Sequence, residues 1–226
     1  MAKINTLPLN PLLVQPLSPG KRLLDIVGAS VGLIVLSPLF LLIALFIKTV
    51  SPGPVFFKQQ RIGAGGKPFL FWKFRTMRVN ADTHVHQKYL AELIKSSESS
   101  GGPGKPMNKL ENDPRVIPLG KYLRKSCLDE LPQLINVLRG EMSLVGPRPP
   151  IPYEVQEYAM WHKERLDIVP GMTGLWQVSG KNRLSFTEML RLDIRYMNKA
   201  NVWTDLKILF KTPAAIVQQI RDAAGY

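Results

Sequence analysis

The chain has 226 residues, which is long enough for one domain with a well-buried core and an additional segment. Its 30 lysines and arginines exceed its 17 acidic residues, and the formal charge of +13 indicates an anionic partner such as nucleic acid, a membrane surface or a phosphorylated substrate. The single cysteine, Cys127, excludes an internal disulfide and fits a reducing compartment, and the 3 histidines are too scattered to form a metal site by themselves.

The first 50 residues divide into two parts. Residues 1–20 carry prolines at positions 8, 11, 16 and 19 without any periodicity, so we expect a flexible tail. Residues 21–50 contain an apolar run of about 22 residues, enough to span a bilayer as a straight helix. Ser37 and Pro38 interrupt this run at its middle. The proline removes a helical hydrogen bond, and the Ser37 hydroxyl can satisfy a freed carbonyl.

Basic residues flank the apolar run on both sides, and such residues prefer the cytoplasmic side of a membrane. They are Lys21, Arg22, Lys48, Lys58 and Arg61. A re-entrant helix–break–helix that enters the membrane and returns accounts for both the break and the charges. A kinked helix that spans the bilayer is the alternative, and a buried core helix is disfavoured because so few polar residues surround it.

The next segment has the pattern of a β-hairpin. Aromatic strands at residues 55–57 and 69–72 are separated by a glycine-rich loop at residues 63–66. Lys73 and Arg75 then alternate with aromatic residues, either as a cationic edge strand or as a pair of phosphate-binding groups. Residues 84–94 predict a short exposed helix, and a Ser/Gly-rich insert at about residues 95–107 predicts a mobile loop.

Two adjacent carboxylates, Asp129 and Glu130, follow a basic pair that includes Arg124. Because proline is tolerated in the first turn of a helix, Pro132 predicts that Asp129 lies near the N-cap and Glu130 in the first turn. The buried face of this helix is predicted to consist of Leu131, Ile135 and Leu138. Carboxylates, cations and free helix-terminal amides together suit phosphate chemistry, although acidic residues also simply complement a helix dipole.

The remaining chain supplies further candidates. Arg148 lies between prolines, so a stiff backbone gives its side chain a fixed direction. Residues 170–181 predict a glycine-rich loop and a short strand, and residues 185–198 predict a helix. Residues 203–224 form a basic amphipathic segment broken at Pro213, which lies either in the membrane interface or on the core. No Walker loop, zinc spacing or dinucleotide fingerprint is present, and the basic residues are not interleaved with exposed aromatics as in a nucleic-acid platform.

Several stretches, in this order, resemble the bacterial sugar transferases that act on polyprenyl phosphate, the monotopic phosphoglycosyl transferases. They are KRLLD (residues 21–25), SP (37–38), PGPV (52–55), KFRTM (73–77), DPR (113–115), LDELPQL (128–134), GPRP (146–149) and PGMTG (170–174). The stretch LWQVSGK (175–181) is more similar to the branch that transfers glucose- or galactose-1-phosphate than to the acetamido-sugar branch.

This resemblance implies transfer of a sugar-1-phosphate from a UDP-sugar to undecaprenyl phosphate, with release of UMP, at the cytoplasmic face of the bacterial inner membrane. It implies that Asp129 attacks the sugar-bearing phosphorus to form a covalent ester, which undecaprenyl phosphate then attacks. Glu130 would ligate Mg²⁺, or Mn²⁺. The candidate phosphate- and substrate-binding residues are Arg124, Lys73, Arg75, Arg148, Lys181 and Gln177, with Asp193 as a supporting carboxylate.

We therefore expect an α+β, mostly helical fold. It would comprise the re-entrant segment, interfacial amphipathic helices, and a small β-hairpin beside the catalytic helix, with residues 51–226 forming the cytoplasmic catalytic domain. A membrane-anchored binding module or a scaffold of an envelope-assembly complex is the alternative function. It would account for the charge or the membrane segment, but it leaves the carboxylate pair among cations unexplained. No nucleic-acid partner is expected, and self-association is left open.

Overall fold

The computed structural model describes residues 14–79, 84–99, 113 and 115–222, apart from the side chains of residues 84–86, 97–99 and 182. Within these residues the fold is mostly helical, as predicted, and it has four short strands. The helices are α1 (Pro19–Val35), α2 (Ser37–Val50), α3 (His84–Ser99), α4 (Gly120–Lys125), α5 (Gln133–Arg139), α6 (Pro152–Gln156), α7 (Leu175–Val178), α8 (Phe186–Met197) and α9 (Val202–Asp222). The strands are β1 (Phe56–Ile62), β2 (Pro68–Phe74), β3 (Ser143–Val145) and β4 (Gly171–Thr173).

The two segments predicted to be flexible lie partly outside the described residues. Residues 1–13 of the proline-rich tail are outside, but the prediction is wrong for the residues just before position 21. The backbone N–H of Gln15 donates to the Asp167 carbonyl, and the Ser18 hydroxyl caps α1 by accepting from the Lys21 N–H. Of the insert at residues 95–107, the first five residues continue α3 and the others are outside.

The apolar run forms two helices, as the interruption at Ser37 and Pro38 predicts. Helices α1 and α2 meet at Leu36 with a bend of 60°. The Ser37 hydroxyl donates to the Ile34 carbonyl at 2.8 Å, which supplies a partner near the proline. In the described part of the chain no single helix has the length and hydropathy of a membrane span, whereas α1 and α2 taken together do.

Polar residues of α1 tie it to the rest of the protein. Lys21 is 4% exposed, and its Nζ contacts Asp205 of α9 and donates to the carbonyl of Val145. Arg22 donates to two carbonyls at the end of α5, and Asp25 accepts from the Ser143 hydroxyl. Lys21 is therefore a buried structural cation. Because it is buried, it does not contribute to the positively charged flank that was predicted at a membrane surface.

The hairpin forms where it was predicted. Strands β1 and β2 pair antiparallel, from Phe56 opposite Phe74 to Ile62 opposite Pro68. Asn136 of α5 joins this hairpin to the segment that follows the carboxylate pair. Its Oδ1 accepts from the Trp72 N–H at 3.2 Å and its Nδ2 donates to the Leu70 carbonyl at 2.7 Å. This contact places β2 against the predicted catalytic segment.

Two helices differ from their predictions because of long-range packing. Helix α3 was expected to be exposed, but Leu90, Leu93 and Ile94 are buried in the main apolar cluster together with residues of α6 and α8. Helix α9 continues through Pro213 without the predicted break. Both halves of α9 are anchored, since Ile208 and Gln219 are buried on either side of the proline. These contacts offset the hydrogen bond that proline removes.

Strands β3 and β4 run parallel and approach each other at two glycines. A Cβ atom on Gly171 would lie 2.0 Å from the backbone N of Gly146. No side chain fits at such a distance, so Gly171, the first glycine of the PGMTG stretch, is required for backbone contact between the strands. Trp176 and Gln177 belong to the loop and short strand predicted at residues 170–181, but they lie in the short helix α7.

Candidate active site

The two carboxylates of the central motif lie in a tight turn between α4 and α5. Cys127 has a left-handed conformation (φ 59°), and residues Leu128–Glu130 form a 3₁₀ turn with Asp129 buried. Pro132 is the N-cap of α5, so the prediction of Asp129 at the N-cap and Glu130 in the first turn is wrong. The left-handed Cys127 separates α4 from the 3₁₀ turn, which ends before Pro132.

The backbone N–H groups of this turn also differ from the prediction. Those of Glu130 and Leu131 donate to the carbonyls of Cys127 and Leu128, so they are not free to bind an anion. The buried face of α5 is shifted as well: Leu134 and Val137 are buried, while the predicted Leu131, Ile135 and Leu138 are half-buried. The N–H groups of Glu130 and Leu131 are thus occupied, and cationic side chains from other segments are the groups placed beside this turn.

Glu130 is held by two of the predicted phosphate-binding cations. Arg148 binds its carboxylate with both terminal nitrogens, at 2.7 Å and 3.1 Å, and Lys73 Nζ lies 3.0 Å from Oε1. Burial would raise the pKa of Glu130, but Arg148 and Lys73 outweigh it and hold that pKa well below its usual range. Burial lowers the pKa of Lys73, which the charge of Glu130 counteracts. Two acidic and two basic side chains are therefore gathered within one small site.

Two buried arginines hold the backbone that carries Arg148. Arg165 Nη2 donates to the Arg148 carbonyl at 2.8 Å, and Arg61 Nη1 donates to the Pro149 carbonyl at 2.9 Å. Sequence reasoning did not identify Arg165 and treated Arg61 as a flanking surface cation, although both are buried. These two guanidinium groups fix the backbone more firmly than the prolines alone.

Asp193 forms an ion pair with the buried Arg165. Its Oδ2 lies 2.7 Å from Arg165 Nη2, the same nitrogen that donates to the Arg148 carbonyl. Burial raises the pKa of Asp193 to about 7, with Arg165 partly offsetting that rise. Asp193 thus pairs with the arginine that holds the Arg148 backbone, and its supporting role in the site stays a prediction.

The next two candidates are Lys181 and Arg124. Lys181 Nζ is 3.4 Å from the Cys127 sulfur, two residues before Asp129. Arg124, on α4, is half-buried, and its charge contributes to the low pKa of Asp113, about 2, for which the hydrogen bond from Arg115 is the main cause. Lys181 therefore reaches the loop that precedes the carboxylates, and Arg124 lies close enough for its charge to act on Asp113.

Two predicted candidates are not gathered at the carboxylates. Arg75 is buried and donates to the carbonyls of Ser51 and Pro52 at 2.7 Å and 2.6 Å, which fixes the turn after α2. Gln177 is also buried, and its Nε2 donates to the Met172 carbonyl at 3.3 Å. Both hold backbone in place, and neither shows a hydrogen bond to Asp129 or Glu130.

The donor set fits a hard divalent cation. Among the residues that the structure describes, no group of three or more His, Cys, Asp or Glu side chains comes together. Mg²⁺ does not need such a group, because it usually binds one or two carboxylates and completes its shell with water and phosphate oxygens. Adjacent Asp129 and Glu130 provide that number. A carboxylate has about four lone-pair sites, so Glu130 retains acceptor capacity beside its two cations.

Comparison with known proteins identifies the family of the chain. The family model described as bacterial sugar transferase matches residues 17–219. The exopolysaccharide production protein ExoY of Sinorhizobium fredii is 42% identical over 196 residues, covering 87% of this chain and 84% of ExoY.

Two longer relatives match over a part of their length. The galactosyl transferase CpsE of Streptococcus agalactiae is 42% identical, covering 85% of this chain and 41% of CpsE. The UDP-glucose:undecaprenyl-phosphate glucose-1-phosphate transferase of Escherichia coli is 38% identical, covering 94% of this chain and 43% of that protein. The chain thus spans less than half of these two relatives. The family match covers most of the chain and includes the carboxylate turn and its cations: the chain belongs to the bacterial sugar transferase family.

Proposed function

We propose that this chain transfers a hexose-1-phosphate from a UDP-sugar to undecaprenyl phosphate and releases UMP. The observation that carries the proposal is the buried Asp129 beside a Glu130 that holds Lys73 and Arg148. Support comes from relatives named for galactosyl transfer, for glucose-1-phosphate transfer to undecaprenyl phosphate and for exopolysaccharide production. The reaction would be the first membrane step in the synthesis of an exopolysaccharide, capsule or O-antigen.

In the proposed mechanism Asp129 is the nucleophile. A carboxylate oxygen of Asp129 forms a bond to the sugar-bearing phosphorus, and the bond from that phosphorus to the bridging oxygen breaks, so that UMP leaves with the electron pair. A phosphate oxygen of undecaprenyl phosphate then attacks the same phosphorus and releases the Asp129 carboxylate. Two displacements thus replace one direct transfer between two anions.

Charge neutralisation is the main task of the surrounding residues. Lys73 and Arg148 supply positive charge next to the reacting phosphorus, and burial strengthens their electrostatic effect. Glu130, with Asp129 adjacent, would hold Mg²⁺ or Mn²⁺, which when bound neutralises phosphate oxygens. Lys181 is positioned to reach a phosphate of the donor from the Cys127 side.

The proposed membrane placement is supported by exposed apolar surface. On α2 the side chains of Leu41, Leu42 and Leu45 are exposed, and on α9 those of Trp203 and Phe210 are exposed. We place α1 and α2 in the bacterial inner membrane as a re-entrant pair, with α9 lying in the interface and the active site facing the cytoplasm. Cytoplasmic orientation is supported by Lys48 and Lys58, which follow the apolar run.

The test is intact-mass spectrometry of protein in nanodiscs, incubated with Mg²⁺ and a single UDP-sugar in the absence of undecaprenyl phosphate. UDP-glucose and UDP-galactose are tried separately. The proposal requires a mass gain of one hexose phosphate with equimolar UMP, present in an Asp222→Asn control and absent in Asp129→Asn. Turnover that needs undecaprenyl phosphate from the start would indicate direct transfer, and inactivity with every UDP-sugar would refute the transferase proposal.

A further inference from the structure

An apolar groove lies between α2 and the segment that leads to the carboxylates. Its volume is about 250 Å³, and it is lined by Leu42, Ile43, Phe46, Leu119, Tyr122 and Leu128, among others. The Ser126 hydroxyl also borders it, but that hydroxyl donates to the carbonyls of Tyr122 and Leu123 within its own turn. The groove therefore offers an occupant apolar contacts and little hydrogen bonding.

One residue of the groove has an unfavourable backbone conformation. Leu119 precedes α4 with a φ of 56°, in the left-handed region that glycine adopts far more readily than a large side chain. Its side chain is 51% exposed, so burial within the protein does not explain why leucine stands there. A ligand that contacts the side chain would explain it.

One lining residue of the groove is the chain neighbour of the proposed reacting group. Leu128 lines it, and the next residue is the proposed nucleophile Asp129, so their Cα atoms are about 3.8 Å apart. Helix α4 forms one wall and carries the cations Lys121 and Arg124. An occupant with an anionic head and an apolar chain matches this arrangement, with its head at the carboxylate turn and its chain along α2.

We propose that this groove binds the phosphate-proximal isoprene units of the acceptor lipid. The inference rests on the proposed function and adds a binding site for the second substrate. At about 250 Å³ the groove is smaller than a typical pocket for a complete small-molecule ligand, so it receives only the start of the chain. The rest of the chain continues beyond the groove into the bilayer.

The test compares two adjacent leucines of α2. Leu42 lines the groove and is 64% exposed, while Leu41 is 70% exposed and is not among its lining residues. The first half-reaction, UMP release from the UDP-sugar alone, is measured separately from transfer of the preformed intermediate to undecaprenyl phosphate. Leu42→Gln should raise the KM for the acceptor about tenfold, the effect of losing one buried apolar contact. Leu41→Gln should change it less than twofold, and both should keep the first half-reaction.

Leu119→Gly separates binding from folding. Glycine is favoured at this φ, so the variant should unfold at the same temperature as the wild type or higher, while its KM for the acceptor rises. The rise in KM for both groove variants should persist with a short-chain polyprenyl phosphate, because the groove contacts only the start of the chain.

Equal effects of Leu41→Gln and Leu42→Gln, or none from either, would show that ordinary phospholipid covers the groove, and would overturn the proposal. Loss of the first half-reaction in Leu42→Gln would overturn it too. Failure of the proposed function looks different, since the wild type itself would then form no product.

Discussion

Replacement of Arg165 by methionine tests whether a buried guanidinium maintains the site. Arg165 is 2% exposed at its side chain, and its terminal nitrogens contact Asp193 at 2.7 Å, the Tyr158 hydroxyl at 2.9 Å and the Arg148 carbonyl at 2.8 Å. Removing one partner of a buried ion pair typically costs about 3–5 kcal/mol, because a buried charge is left without compensation. We expect Arg165→Met to lower the free energy of unfolding by about that amount above pH 7.

The assay is urea denaturation in detergent micelles, followed by tryptophan fluorescence. Arg183→Met is a matched control, since Arg183 Nη2 lies 2.7 Å from Asp222 but both side chains are on the surface. Because solvent screens such a pair, this control should unfold almost like the wild type. Adding Asp193→Asn to Arg165→Met should recover part of the lost stability by removing the unpaired carboxylate. The reasoning fails if Arg165→Met is as mild as the control, or if the double variant recovers nothing.

Two further predictions concern pH and backbone packing. Burial raises the pKa of Asp193 to about 7, so the folded state binds its proton more tightly than the unfolded state, and stability falls as pH rises through 7. Between pH 6 and pH 8 the titration of Asp193 should lower the free energy of unfolding of the wild type by about 1 kcal/mol. Urea titrations of Asp193→Asn should lack that loss, and the same dependence on pH in both proteins would contradict the prediction. Gly171→Ala should abolish stable folding, because its Cβ would lie 2.0 Å from the backbone N of Gly146. Gly20→Ala is the control, since its Cβ would lie 3.4 Å from Val202; it should purify normally and show an unchanged melting temperature.

Features that depend on local sequence were predictable. The helix break follows from Ser37 and Pro38, and the hairpin follows from two aromatic runs around glycines. Lys73 and Arg148 were named as candidates because cations are needed where phosphate is expected, but their shared contact with Glu130 was not predicted. None of these inferences required knowledge of which distant segments pack together.

Features that depend on distant partners were not predictable. Arg75 has the same charge and a similar setting to Lys73, yet it binds two carbonyls of the turn after α2. Arg165 and Asp193 are 28 residues apart, and nothing in either local sequence indicates their pairing. A cation can be satisfied by a carboxylate, a carbonyl or a ligand, and only the tertiary structure decides among them.

The polar contacts of α1 have a consequence for how the protein can be divided. Asp205 is completely buried and takes its cation from Lys21, while Arg22 supplies donors for the last carbonyls of α5. A fragment lacking α1 would leave the buried carboxylate of Asp205 without its cation. It would also leave the last carbonyls of α5 without the donors of Arg22. The hydrophobic segment is thus an integral part of the catalytic fold and cannot be treated as a detachable anchor.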